Sequence, residues 1–110
     1  MIARIWKARS SAHGANLYAA HFRNHVLIRL ERMPGYFGGV LLRSDDDSEC
    51  ELTVITIWND LEVIKQFAGT DINRAVVADD AAAVLTDFDS TVNHARIVDT
   101  DIDRWMERSD

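Results

Sequence analysis

The chain has 110 residues, of which 47% are hydrophobic, and this size and composition predict one domain with a packed core. The 12 Lys and Arg residues and 18 Asp and Glu residues give a net charge of −6. An acidic surface repels phosphate backbones, and the basic residues do not cluster. The composition therefore argues against a nucleic-acid partner.

The cysteine content and the distribution of apolar residues bear on location. Cys50 is the single cysteine, so the chain has no internal disulfide and a reducing compartment is expected. Residues 1–14 lack the apolar core of a signal peptide, and no run approaches the ~18 apolar residues of a membrane span. We therefore expect a cytoplasmic protein with no membrane partner.

The first third of the chain predicts a strand followed by a helix. Residues 2–9 are rich in β-forming side chains, and Ser10 or Ser11 is suited to cap a following helix. Residues 15–33 have a helical period, carried every four residues by Tyr18, Phe22, Val26 and Leu30. Pro34 lacks a backbone N–H and ends this helix.

Two strands are predicted next, at 36–44 and 50–58, joined by an acidic turn. Gly38 and Gly39 indicate a bulge or a close backbone approach in the first of them. The second strand alternates in a way that makes both of its faces apolar. One face carries Leu52, Val54, Thr56 and Trp58, and the other carries Thr53, Ile55 and Ile57.

The last third predicts a helix, a short helical segment and a strand. Asn59 with Glu62 three residues later matches a reciprocal N-terminal cap, so we expect a helix from Asp60 to about Phe67, ended by Gly69. Later elements are one or two helical turns within 71–88 and a strand at 91–99.

The element order β-α-β-β-α-β predicts an α+β, ferredoxin-like fold, with a four-stranded antiparallel sheet and both helices on one face. The strand order in such a sheet is 4-1-3-2. We expect this domain to span residues 1–99. Residues 100–110 form an acidic tail that could dock on it, because Ile102, Trp105 and Met106 have helical spacing.

The strand at 50–58 predicts self-association. Two helices cover one face of a four-stranded sheet, yet this strand carries bulky apolar residues on both faces. Monomers rarely expose such a patch. A homodimer across a two-fold axis would cover it.

Several chemical motifs have simpler interpretations. His21 and His25 are four residues apart on a helix, but two histidines without a third ligand do not make a metal site. No nucleophile elbow and no dinucleotide-binding glycine pattern is present. We therefore predict no metal and no cofactor.

A set of side chains on the strands is better suited to binding. Arg4 and Trp6 share one face of the first strand, and His94 and Arg96 share one face of the last. The two strands are neighbours in the predicted sheet, and Trp58 lies one strand further away. Together these residues would bind a flat anionic aromatic molecule, by stacking, ion pairing and proton exchange. The alternative is that the arginines form ion pairs and the tryptophans belong to the core.

The segments MIARIWKAR, PGYFGGVLLR and LTVITIWNDLEVIKQFAG resemble the antibiotic biosynthesis monooxygenase domain, a branch of the dimeric α/β-barrel proteins. The resemblance covers roughly residues 1–98. It implies a dimer whose two sheets face each other and a pocket between sheet and helices. In some members that pocket is where O₂ oxidises an aromatic or quinol substrate without an added cofactor.

The resemblance implies where the pocket lies, and the residue types suggest which side chains act in it. We expect His94 or His21 to be the base and Arg4 or Arg96 to stabilise the substrate anion. Phe67 is a further candidate for substrate binding, and it stands where the haem-degrading branch has a tryptophan. That branch also relies on an asparagine in the first strand, absent from IWKAR, and on a histidine whose position falls near Val77. The sequence therefore disfavours haem degradation.

The alternative function is a non-enzymatic ligand-binding or interaction module with the same fold, because fold does not determine function. The two functions predict different pockets between the sheet and the helices. An enclosed pocket lined by tryptophan with histidine or arginine favours an enzyme. A pocket filled by Phe22, Phe67, Leu85 and Phe88 favours the simple module.

Overall fold

The computed structural model describes residues 1–101, in which five strands and four α-helices form two layers. In chain order the elements are β1 (Ile2–Ser10), α1 (Ala12–His21), a π-helical segment (Phe22–Val26), α2 (Leu27–Glu31), β2 (Tyr36–Asp45), β3 (Cys50–Trp58), α3 (Leu61–Ala68), α4 (Asp79–Val84), β4 (Asp87–Phe88) and β5 (Asn93–Arg96). The α+β ferredoxin-like architecture expected from the sequence is confirmed.

The sheet is antiparallel, with the order β2-β3-β1-β4, and β5 also pairs with β1. The predicted last strand, 91–99, is shortened to β5 at Asn93–Arg96. β4 is an additional short strand at the end of the segment 71–88, which was expected to be helical, and it makes the sheet five-stranded instead of four-stranded. The gap between the two short strands has a local cause. Between β4 and β5 the chain turns to the segment at 73–75, where the Ala75 N–H donates to the Ser90 carbonyl and the Val92 N–H donates to the Asn73 carbonyl.

The two faces of β3 differ in burial as the alternation predicts. The residues buried beneath the helices are Cys50, Leu52, Val54, Thr56 and Trp58. Thr53, Ile55 and Ile57 lie on the opposite face and are half-buried. The helix side holds two core clusters, one around Trp6 and Tyr18 and one around Leu30, Trp58 and Ile64.

The cap predicted for the first helix is confirmed at Ser11. Its hydroxyl accepts a hydrogen bond from the Gly14 N–H at 3.0 Å, and α1 begins at Ala12, three residues before the periodic segment 15–33. The π-helical segment is a feature that the sequence did not indicate. In it the backbone N–H of Leu27 donates to the Phe22 carbonyl, five residues back instead of four.

The bulge predicted at the two glycines is confirmed. Tyr36 pairs with Trp58 and Gly38 pairs with Ile57, so Phe37 is the extra residue on β2. The predicted cap of α3 is displaced by one position. The Asp60 carboxylate, and not the Asn59 side chain, accepts from the third N–H of the helix, that of Val63, at 3.0 Å.

No helix in residues 1–101 is both long and apolar enough to cross a membrane. The predicted docking of the tail, based on Ile102, Trp105 and Met106, lies outside the described residues.

The packing of α3 leads to a stability prediction. Ile64 is 0% exposed in the second core cluster, whereas Leu61 on the same helix is 40% exposed. Ile64→Ala is expected to lower the free energy of unfolding by about 2 to 5 kcal/mol, because the cavity cannot be filled. Leu61→Ala is expected to change it by less than about 1 kcal/mol. Urea unfolding measures both, and equal losses would contradict the assigned packing.

Candidate functional site

A cavity of about 170 Å³ lies between the sheet and the helices. It lies where the two core clusters meet, because its walls include Trp6 and Tyr18 from one cluster and Leu30 from the other. The remaining lining residues are Arg4, His21, His25, Val26, Arg29, Val54, Thr56, Phe67, Val76, Val77, Ala78, Ala81 and Val92.

Arg4 is the buried charge of this cavity, with 5% of its surface exposed. Its guanidinium donates to the carbonyls of Ile72 at 2.6 Å and Arg74 at 2.8 Å. A third contact, at 3.0 Å, joins it to Nε2 of His94. Burial lowers the pKa of Arg4. A guanidinium has five N–H groups, so the contacts within residues 1–101 leave two N–H groups without a partner.

The Arg4 contact determines the state of His94. A guanidinium can only donate, so Nε2 of His94 must accept, and the proton of the neutral ring is on Nδ1. Burial lowers the pKa of His94, and the charge of Arg4 lowers it further. His94 therefore acts here as a neutral acceptor that positions Arg4.

His21 differs from His94 because it lines the cavity directly. Burial is the largest cause that lowers the pKa of His21. The electrostatic effect of His25 lowers this pKa further, and the negative charge of Asp80 raises it. Its ring lies between two others, with ring centroids 5.8 Å from Tyr18 and 5.3 Å from His25. Burial raises the pKa of the Tyr18 hydroxyl to about 12, so Tyr18 is a neutral group beside His21.

Phe67 forms an aromatic wall with cations beside it. The guanidinium carbons of Arg4 and Arg29 lie 5.7 Å and 4.9 Å from its ring centroid. Trp58 stacks on Phe67, with centroids 5.6 Å apart, and its indole N–H donates to the Thr56 hydroxyl at 2.8 Å. Trp58 is 0% exposed and supports the wall from behind.

The cavity is electropositive although the chain is acidic. Two arginines and two histidines line it, and no Asp or Glu of the described residues does. The ion pairs within residues 1–101 involve the cations of Lys7, Arg9, Arg43 and Lys65, and include neither Arg4 nor Arg29. A buried cation without a carboxylate partner favours an anionic ligand.

The residues predicted from the sequence are only partly brought together. Arg4, Trp6, His21 and Phe67 line the cavity. His94 pairs with Arg4 in the sheet register, as the strand order requires, but is not a lining residue. Trp58 lies behind Phe67. Arg96 is exposed opposite Ile2 and does not reach the cavity.

Four polar lining residues were not among the predicted site residues: Tyr18, His25, Arg29 and Thr56. Tyr18, His25 and Arg29 share the first helical region with His21, and the four positions there follow a spacing of three, four and four residues. That spacing was a usable signal. The apolar stripe through Phe22 and Val26, on which the helix prediction is based, excludes Arg29.

The histidine pair does not form part of a larger ligand cluster. Among residues 1–101, no three His, Cys, Asp or Glu side chains are arranged to hold a metal ion. His21 and His25 are therefore interpreted as side chains of the cavity wall.

The sheet, the helices on one face and the cavity between them define a ferredoxin-like α+β protein with the fold of antibiotic biosynthesis monooxygenases. A Bacillus cereus protein described as an antibiotic biosynthesis monooxygenase matches it with a TM-score of 0.62 at 14% identity. That match covers 90% of this chain and 96% of the other.

A second solved structure with this fold is the heme-degrader MhuD from Mycobacterium tuberculosis, with two hemes bound in its active site. It matches at 21% identity with a TM-score of 0.58, covering 91% of this chain and 98% of MhuD. A point mutant of MhuD with two manganese protoporphyrins per active site matches with a TM-score of 0.57. At these identities the similarity establishes the fold. No family model matches the sequence, and a search of curated proteins finds no match either.

The neutral state of His94 leads to a prediction of pH-dependent stability. His21 and His94 have pKa values below the usual 6.5, so the folded state binds fewer protons than the unfolded state. The stabilisation that the two neutral histidines give to the folded state is complete above about pH 6.5. It is lost as the pH falls toward their pKa values in the folded state. The free energy of unfolding is expected to decrease from about pH 7 to about pH 5.

His94→Gln is expected to reduce this decrease, because glutamine offers Arg4 an acceptor that does not titrate. His13→Gln, at an exposed position on α1, is the control and is expected to leave the slope unchanged. Urea unfolding at several pH values measures the slope. An unchanged slope in His94→Gln would contradict the proposed state of His94.

Proposed function

We propose that the cavity binds a small anionic or acidic aromatic molecule and that the protein is an oxygenase of the antibiotic biosynthesis monooxygenase type, acting without an added cofactor. The observation that carries the proposal is Arg4, which is buried, faces an apolar cavity and has no carboxylate partner in residues 1–101. The fold shared with such a protein from Bacillus cereus supports the reaction type.

The walls and size of the cavity support an aromatic ligand. Trp6, Tyr18 and Phe67 provide ring surfaces, and most of the other lining residues are aliphatic. The volume of about 170 Å³ is close to the ~150 Å³ of an engineered apolar cavity that holds one benzene molecule. The cavity therefore suits a compound with one aromatic ring or a little more.

The chemistry assigned to the residues is proton removal and anion stabilisation. His21 is neutral near pH 7 and lines the cavity, so it would accept the proton of a phenolic substrate. The two remaining N–H groups of Arg4 would stabilise the phenolate oxygen. The electron-rich anion then reduces O₂ itself. One oxygen atom becomes a ring carbonyl and the other leaves as water, so a phenol and O₂ give a quinone and water.

Two substitutions test these roles in an oxygen-consumption assay with a panel of hydroquinones and phenols. His21→Gln is expected to lower turnover at least about 100-fold, which is the usual contribution of a general base. Arg4→Lys, which retains the charge but removes the planar group, is expected to lower it by a similar factor.

His13→Gln and Arg96→Gln are the matched controls, because both positions are exposed and neither residue lines the cavity. Both control variants are expected to retain the turnover of the unmodified protein. Full turnover in His21→Gln would contradict the assignment of the base. Binding of aromatic anions without any turnover would favour the alternative function, a non-enzymatic ligand-binding module.

Haem degradation is a second candidate because MhuD shares the fold and binds heme. In the described structure His21 and His25 are imidazoles lining the cavity, and Val77, at the position expected for the haem-ligating histidine, lines it without a ligating atom. A porphyrin has four pyrrole rings and would require the cavity to widen. The residues therefore suit a smaller aromatic ligand better.

Titration with hemin separates the two candidates. The proposed function predicts no saturable Soret shift at equimolar hemin. A saturable shift that is lost in His21→Gln would instead support haem as the ligand.

We also propose that the protein is a homodimer joined through the face of the sheet opposite the helices. This face carries Ile5, Val40, Leu42, Ile55 and Ile57. Leu42 is 48% exposed, and the other four are half-buried. A second copy presents the same apolar surface, and a two-fold axis brings the two together.

Sedimentation velocity tests this assembly. The unmodified chain is expected to sediment as a dimer, and Ile55→Arg as a monomer, because an unpaired charge would be buried at the contact. Leu17→Arg, on an exposed position of α1, is the control and is expected to remain dimeric. A monomeric unmodified chain at micromolar concentration would contradict the proposal.

A further inference from the structure

The two arginines of the cavity differ in depth. Arg4 lies on β1 with 5% exposure, and Arg29 lies on α2, where its side chain is exposed. Both line the cavity and both lie over the ring of Phe67. One cation is therefore at the bottom of the cavity and the other is at its rim.

The rim cation has no protein anion to neutralise it in the described residues. Arg29 takes part in none of the ion pairs of residues 1–101. Its nearby partner in these residues is the face of Phe67, at 4.9 Å, and a cation on an aromatic face keeps its N–H donors available. His25, beside Arg29 in the lining, is a donor when protonated and adds no negative charge.

On the basis of the proposed function, we infer that the ligand is an aromatic compound with two acidic groups, one bound by Arg4 inside the cavity and one bound by Arg29 at the rim. The inner group is the one that reacts. The outer group, a carboxylate or an equivalent anion, orients the ring and distinguishes this ligand from a simple phenol.

The positions of the two guanidinium groups limit how far apart the two acidic groups can be. The guanidinium carbons lie 5.7 Å and 4.9 Å from one ring centroid, so they are no more than about 11 Å apart. Two acidic groups on a single aromatic ring are close enough together to contact both cations at once.

Isothermal titration calorimetry with two probes of one shape tests the inference. Isophthalate carries two carboxylates at alternate ring positions, and 3-methylbenzoate replaces one of them with a methyl group. Isophthalate is expected to bind about fivefold more tightly, because an exposed ion pair contributes up to about 1 kcal/mol. This advantage is expected to disappear in Arg29→Gln.

Arg32→Gln is the matched control, because it removes the same charge from an exposed position near the end of α2 that does not line the cavity. It is expected to retain the fivefold advantage. Circular dichroism confirms that the variants fold. Equal affinities of the two probes, or an advantage that persists in Arg29→Gln, would overturn the inference.

The same experiment distinguishes a failure of this inference from a failure of the proposed function. If 3-methylbenzoate binds and Arg4→Lys weakens it, the anion site is supported even when the second carboxylate adds nothing. If neither probe binds the unmodified protein, the proposed anion site and the inference are both overturned.

Discussion

The structure depends on the burial of one positive charge. Moving a guanidinium out of water is costly unless its N–H groups are satisfied. Two backbone carbonyls and the ring of His94 satisfy three N–H groups of Arg4. The neutral state of His94 follows from this, because a protonated ring could not accept. The remaining N–H groups and the uncompensated charge then define what the cavity can bind.

The same contacts hold the cavity wall in place. Both carbonyls belong to the segment after α3, so Arg4 on β1 joins the sheet to the chain that covers the cavity. That segment is also hydrogen-bonded through Asn73 and Ala75 to the stretch between β4 and β5. The same network of hydrogen bonds therefore connects three features. They are the gap between β4 and β5, the position of the segment after α3, and the burial of Arg4.

The sequence predicts the features of the sheet that depend on backbone periodicity. Alternation in β3 assigned both of its faces, and the strand order placed Arg4 opposite His94. Pairing in the sheet, however, does not show which side chain a polar group will bind. For that reason the sequence offered His94 as a base, whereas the structure shows a ring occupied by Arg4.

The π-helical turn in the wall of the cavity could not be predicted for a different reason. Such a turn depends on a backbone hydrogen bond that spans five residues, and residue periodicity alone does not indicate it. The spacing of His21, His25 and Arg29 does indicate a shared face, but the apolar stripe on the same helix predicts a different one. The cavity volume likewise depends on how the covering segment packs, which no local pattern specifies.

Nuclear magnetic resonance of the Arg4 side chain tests the central claim most directly. Titration with 3-methylbenzoate is expected to shift the guanidinium ¹H and ¹⁵N signals of Arg4 saturably. The neutral amide of the same shape, 3-methylbenzamide, is expected to leave them nearly unchanged. Equal shifts with both compounds, or no shift with the carboxylate, would show that Arg4 is a structural cation and not the anion-binding group of this cavity.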